Sequence, residues 1–572
     1  MSNNAKGLSS RLTRYGDNGF ALFLREAFLK ASGFGEDALN KPIIGICDTR
    51  SDFNPCHATM PQLTDAISRG ITLAGGMPFV FPTISLHESF CFPTTMLLRN
   101  LMSMDTEEMM HALPLDAVVV VGGCDKTVPA QLMGAISANV PTVSVVVGPM
   151  LTGNHEGTRL GACTDCRRLW GEKRAGRLDE AELKRAQTEL MPTHGTCMVM
   201  GTASTMACLS EVLGFMLPGG ASIPAIHSGR LRHAEASGMR AVALATSGQP
   251  ALPTDLVTRS SLRNACITLQ ALGGSTNALI HLIAMAGRAG IKLDLDEFDA
   301  IGRDTPVLAD LKPSGRVYMQ DFHNAGGLPA LLRELIRGGV DLDTTALAGD
   351  GRSWAEVIES WPAWTDPEVI RTTSNPVKPG AALAYVRGSL APDGAVIKQA
   401  AMSEHLMLHE GPALVFDSLD DLDARLDDPD LDVTADHVLV LRNAGPVGAP
   451  GMPEAGSIPI PKKLAEMGVR DMVRISDARM SGTAYGAVVL HVAPEAAIGG
   501  PLALVQDGDR IRLDVSSRRI DLLVDDAELA QRRKAWIAPT TPKRGYAKLY
   551  ARSVQQADRG CDFDFLTGIG DD

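Results

Sequence analysis

From about residue 40 the chain alternates between short apolar runs and longer amphipathic ones. Pro42-Ile43-Ile44-Gly45-Ile46-Cys47 predicts a buried strand, Met60 to Ala74 has helical spacing of its apolar positions, and Met77-Pro78-Phe79-Val80-Phe81 predicts a second strand. Ala117 to Val121 is the plainest strand. A helical run with Pro129 in its first turn follows from Thr127, and Pro141 to Val147 is again strand-like. This rhythm, kept to about residue 230, predicts a parallel sheet covered by helices. Residues 175–190 are rich in charge and predict a solvated helix.

The pattern changes after Ser374-Asn375-Pro376-Val377-Lys378-Pro379-Gly380. Downstream, short strands are separated by turns: Ala395 to Lys398, Ala413 to Phe416, His437 to Leu441 and Val488 to Val492. Arg510 to Val515 and Arg519 to Val524 alternate like the arms of a hairpin. The expected fold class is α/β, with a parallel-sheet α/β domain over 1–375 and a β-rich, barrel-like domain over 376–572. No internal repeat interrupts it.

Composition narrows the function. Of 572 residues, 45% are hydrophobic and 21% charged, as in a soluble globular protein. Lys plus Arg number 54 against 67 Asp plus Glu, a net charge of −13 that argues against nucleic-acid binding, which depends on phosphate neutralisation. No apolar stretch is long enough to span a membrane. The segment Met1 to Asn18 is polar, so a cytoplasmic location is expected, with the 10 cysteines largely reduced.

Cys124-Asp125-Lys126 closes the Ala117 to Gly123 run and opens the next helix. It therefore lies at the carboxyl end of a parallel strand, where open α/β sheets bind ligands. A soft thiolate, a carboxylate and an amine side by side suit two metals better than one. Cys56 and Cys197 share the context of Cys124: each follows a turn former or small residue and precedes a helical run, which favours the thiolate. Ordinary buried thiols are the competing reading. Cys163-Thr164-Asp165-Cys166 has redox or zinc spacing but no second pair nearby. It is read as structural, with thiol oxidoreductase chemistry as a rival. Glu88, Asp125 and Glu454 are candidate ligands for a hard cation. Ser481 lies among small residues without a nucleophile elbow. Gly273-Gly274-Ser275-Thr276-Asn277 either binds an anion or simply caps a helix.

Taken together, these segments resemble the dihydroxy-acid and sugar-acid dehydratase family. Cys124-Asp125-Lys126-Thr127-Val128-Pro129-Ala130 is similar to its first signature, and Ser476-Asp477-Ala478-Arg479-Met480-Ser481-Gly482-Thr483 to its second. Ala271 to Ala278, Ala325 to Ala330, Leu390 to Lys398 and Pro450 to Glu454 match further motifs in family order. The resemblance implies an iron–sulfur cluster on Cys56, Cys124 and Cys197, with one iron open to substrate. A [2Fe–2S] cluster is favoured, with [4Fe–4S] as the alternative. It also implies Mg²⁺ on Glu88, Asp125, Glu454 and a carbamylated Lys126, with Ser481 as base and Thr483 beside it.

The implied activity is a hydro-lyase that converts a small-molecule 2,3-dihydroxy acid to a 2-keto-3-deoxy acid. The implied assembly is a homodimer or homotetramer, with no nucleic-acid or membrane partner. Pro82 to Glu88 and Pro93 to Met102 are similar to the pentonate branch, where His87 is a candidate contact to substrate hydroxyls. Arg442-Asn443-Ala444-Gly445-Pro446 departs from it by lacking Tyr-Glu before Gly-Pro. Dihydroxy-acid dehydratase of branched-chain amino-acid synthesis is the nearest alternative. A non-catalytic iron–sulfur sensor is a more distant one.

Overall fold

The structure, a computed structural model, describes residues Lys6 to Gly568. Strands β1 (Ile43–Asp48), β2 (Met77–Pro82), β3 (Ala117–Gly122) and β4 (Thr142–Val146) form a wholly parallel sheet in the order β2-β1-β3-β4. Val118 to Val121 of β3 have no exposed surface, as expected of a central strand covered on both faces. Ile44, Ile46, Val119 and Val121 pack against the helices Met60–Leu73 and Ser228–Thr246. Those helices touch through glycine: a Cβ on Gly70 would lie 2.0 Å from the Glu235 carbonyl oxygen, and one on Gly238 2.3 Å from that of Ile67. Cys47, Phe81, Val118 and Val120 fill the opposite face.

The strand–helix alternation ends earlier than the apolar pattern predicts. After β4 the chain makes only a small hairpin, β5 (Gly153–His155) with β6 (Thr158–Leu160), and then a helical layer. The apolar runs of that layer are buried helices, such as Thr202–Val212, Arg259–Ala271 and Thr276–Arg288, which share the largest core. Periodicity alone does not separate such runs from buried strands. The solvated helix predicted over 175–190 is confined to Glu180–Glu189. The Asp179 carboxylate caps it by accepting from the Glu182 N–H at 2.8 Å.

The second sheet has eight strands: β7 (Ala384–Val386), β8 (Gly394–Ile397), β9 (Leu408–Phe416), β10 (Val438–Leu441), β11 (Arg474–Ser476), β12 (Val488–Ala493), β13 (Arg510–Asp514) and β14 (Arg519–Leu522). Their order is β14-β13-β9-β10-β11-β12-β8-β7, with β9 to β12 parallel and the outer pairs antiparallel. The expected hairpin is β13–β14. Arg387, just past β7, bridges Arg519 of β14; its N–H donates to the Arg518 carbonyl and its carbonyl accepts from Ile520 N–H, both at 3.0 Å. The edges thus nearly meet, in a barrel-like sheet. Alternation along the strands sorts the two faces: Ala413, Val415, Val438 and Val440 point into one core, Leu414, Phe416, Leu439 and Leu441 into another. Among the described residues no helix is long and apolar enough to cross a membrane.

Candidate active site

The thiols are set by the ends of β1 and β3. Beyond β1, the Thr49 hydroxyl donates to the Val121 carbonyl of β3 at 2.8 Å. His57 Nδ1 donates to the Thr49 carbonyl at 2.8 Å, and its Nε2 accepts the Cys124 N–H at 3.0 Å. Burial lowers the His57 pKa to about 4, so the imidazole is neutral and keeps both bonds. This histidine locks the Cys56 turn to the Cys124 turn. The Cys56 and Cys124 sulfurs and a His87 ring nitrogen all lie within 4.8 Å of one another. Cys56 accepts from the Cys124 thiol, which brings the Cys56 pKa down to about 6 and pushes that of Cys124 up.

Cys197 is paired with a residue given no cluster role by the sequence. Its sulfur lies 3.2 Å from that of Cys163, and both feel the charge of Cys56. Cys166, one turn on, packs against Leu160, Leu169 and Leu190, with its thiol against the Cys163 backbone.

Beside the thiols lies a carboxylate cluster. One oxygen from each of Glu88, Asp125 and Glu454 falls within 4.8 Å of the others. The Lys126 ammonium, 1% exposed, is paired with Asp125 and sits 3.6 Å from Glu88 and 3.7 Å from Glu454. Arg479 closes the other side, donating to Glu454 at 2.6 Å and to Thr94 Oγ1 at 2.6 Å, with Glu88 at 3.4 Å. Thr94 donates to Glu88 at 2.5 Å, and Thr95 donates to its other oxygen. Burial would raise the Glu88 pKa, but Arg479 and Lys126 beside it hold it at about 2.

The Ser481 segment leaves the carboxyl end of β11. Ala455 bridges Met480, which sets Glu454 beside the run. Asn277 ties the parts together: its amide donates to the Met480 carbonyl at 3.0 Å and reaches Glu454 at 3.4 Å. Ser481 Oγ lies 2.9 Å from Thr483 Oγ1. Gly482 allows the close approach, since a Cβ there would lie 2.6 Å from Ser275 Oγ and 2.7 Å from Thr202 N. Ser275 caps its helix by accepting from Asn277 N–H at 3.2 Å, so of the two readings of the Gly273–Asn277 loop the structure has the cap.

Cys56, Cys124, Glu88, Asp125, Lys126 and Glu454 therefore come together from segments far apart in the chain, with Cys197 on the thiol side and Ser481 and Thr483 in the turn beyond β11, beside Glu454. Soft sulfur donors adjoin hard oxygen donors, a set that fits an iron–sulfur cluster next to Mg²⁺. The Lys126 ammonium stands where a cation would balance the three carboxylates; a carbamate there would add an oxygen ligand. His57, Arg479 and Asn277 are site residues that sequence reasoning missed, and Cys163 was read only as structural or as half of a redox pair. Arg479 and Asn277 lie inside the motifs quoted above, and His57 follows Cys56, but only the folded chain shows what they face.

The comparisons agree over the whole length. The N-terminal model of the dihydroxy-acid/6-phosphogluconate dehydratases matches residues 41–357 and the C-terminal model 368–561. The chain is 47% identical to an L-arabonate dehydratase of Azospirillum brasilense, over 97% of this chain and 96% of that protein. It is 46% identical to a 6-deoxy-6-sulfo-D-gluconate dehydratase of Pseudomonas putida, over 93% and 91%. A dihydroxy-acid dehydratase of Moorella thermoacetica is 38% identical, over 95% and 98%.

Proposed function

We propose that this chain, which belongs to the dihydroxy-acid/6-phosphogluconate dehydratase family, removes water from a sugar acid, an aldonate such as L-arabinonate or D-xylonate, to give the 2-keto-3-deoxy acid. The observation that carries the reading is the meeting of a thiol group, a three-carboxylate cluster and the Ser481 strand from both halves of the chain. Identities of 47% and 46% to two sugar-acid dehydratases, against 38% to a dihydroxy-acid dehydratase, favour the sugar acid. In this reading residues 1–375 bring the cluster thiols, and residues 376–572 bring Glu454 and the base.

When bound, a [2Fe–2S] cluster on Cys56, Cys124 and Cys197 and Mg²⁺ on Glu88, Asp125, Glu454 and carbamylated Lys126 would supply Lewis acidity at the C3 hydroxyl and at the carboxylate end of the substrate. Ser481 Oγ, as an alkoxide, takes the C2 proton. The Thr483 hydroxyl, 2.9 Å away, donates a hydrogen bond that steadies that alkoxide. Asn277 holds the Ser481 strand and Glu454 as one unit. Arg479 pairs with both Glu88 and Glu454 and, with Lys126, keeps Glu88 ionised. Loss of the C3 hydroxyl leaves an enol that tautomerises to the keto acid, with no net redox change.

The test is anaerobic purification with iron and sulfide analysis, then keto-acid release from L-arabinonate, D-xylonate and 2,3-dihydroxyisovalerate. A coloured protein that turns over an aldonate, and whose Ser481→Ala variant keeps its colour but loses turnover, is expected. A colourless protein that stays active in EDTA sinks the reading. Preference for 2,3-dihydroxyisovalerate moves the chain to branched-chain synthesis.

A further inference from the structure

The geometry points to Cys163 as a fourth cluster ligand, one that occupies the open iron position until substrate displaces it. The inference rests on the cluster reading above and adds a residue to it. The thiols of the site form two pairs. Cys56 and Cys124 lie within 4.8 Å of each other, and Cys163 and Cys197 are 3.2 Å apart. Two sulfurs on one tetrahedral metal, each at about 2.3 Å, stand roughly 3.8 Å apart. A small adjustment therefore seats Cys163 and Cys197 on one ion, with the other pair facing it. Two thiols per iron is the full ligand set of a [2Fe–2S] cluster.

The chain holds Cys163 in place rather than leaving it on a loose loop. Its φ is +54°, in a region that non-glycine residues rarely adopt. Asp165 fixes the turn by accepting from Gly161 N–H at 2.8 Å and pairing with Lys312 at 3.1 Å. The next residue, Thr164, donates to the Thr483 carbonyl at 3.1 Å, which ties the Cys163 turn to the Ser481 strand. Cys163 thus stands one residue from the contact that joins its turn to the segment carrying Ser481. The exchange changes no oxidation state: the thiol releases a proton on binding iron and regains one when displaced.

The test compares wild type, Cys163→Ala, Cys163→Ser and the control Cys166→Ala, all purified anaerobically. Iron and sulfide content, the visible spectrum, the EPR spectrum after reduction and the lifetime of the colour in air are measured without substrate and with L-arabinonate. Cys163→Ala is expected to keep its iron but shift both spectra and lose its colour several-fold faster in air. L-arabinonate should move the wild-type spectrum toward that of Cys163→Ala. Cys166→Ala should match wild type. If Cys163→Ala does not fold, Cys163→Ser carries the comparison, with a shift of the absorption bands expected as oxygen replaces sulfur. Cys163 variants whose spectra and lifetime superimpose on those of wild type overturn the inference while leaving the proposed function standing. Shifted spectra with no turnover on any 2,3-dihydroxy acid leave the ligand in place and sink the function. A protein that takes up no iron overturns both.

Discussion

Lys398 follows β8 with no exposed surface, and among the described residues its amine finds no hydrogen-bond partner. Burial pushes its pKa down from 10.5 to about 7. Because the folded value lies below the unfolded one, the unfolded chain binds more protons between about pH 7 and pH 10.5, and stability rises with pH across that window. A fall of about 3.5 in pKa, at about 1.4 kcal/mol per unit, makes the buried amine cost about 4 kcal/mol at pH 7 and under about 1 kcal/mol at pH 10.5. Lys398→Met keeps the length of the side chain and removes the titrating group. Denaturant unfolding of both proteins, followed anaerobically from pH 6 to pH 10, should show the variant more stable by about 4 kcal/mol near neutrality, with the gap closing as pH rises. Burial is the one cause of its shift, and among the described residues no charged group ties it to the carboxylate cluster, so turnover should be unchanged. Parallel pH profiles, or a variant less stable by the same amount at every pH, would refute the account and mean that the amine is solvated or paired.

Other substitutions probe the site. Gly482→Ala places a methyl against Ser275 and the Thr202 N–H; kcat should fall roughly a hundredfold with iron content unchanged, as read by steady-state kinetics beside iron analysis. Arg479→Met leaves Glu88 and Glu454 with Lys126 as their one remaining buried cation and should cost about 3 kcal/mol in the metal-free protein, much of it recovered when Mg²⁺ is added in thermal unfolding. His57→Phe strands the buried Cys124 N–H at a cost of about 1–3 kcal/mol, and iron retention after gel filtration should drop relative to wild type.

How much of this was legible in the sequence depended on whether the signal was local. The Cys124-Asp125-Lys126 step could be placed because a run of valines and a proline-led helix flank it, and both leave a periodic trace. The hairpin β13–β14 was visible for the same reason. The end of the parallel sheet at Val146 was not, because the apolar runs that follow are buried helices with the composition of strands. Barrel closure rests on the bridge at Arg387, which has no period to detect. In the site, the C-x-x-C spacing drew attention to Cys163 with Cys166, while the sulfur that Cys163 meets at 3.2 Å is 34 residues away. Arg479 lies inside a recognised motif, yet nothing local says that it faces two acids, one of them 391 residues distant.

The division of the site between the two halves has a consequence for how the protein is made. All four thiols are present once residue 197 has been synthesised, whereas Glu454, Arg479 and Ser481 come at the end of a further stretch. At about 5–20 residues per second, the roughly 280 residues between Cys197 and Ser481 take about 15–60 s to appear. For that interval the sulfur side of the site exists on the nascent chain without the barrel that later covers it. Under the proposed function, iron delivery and the emergence of the Ser481 segment would be separated in time, and a chain cut short before the barrel would carry the thiols but neither Ser481 nor Glu454.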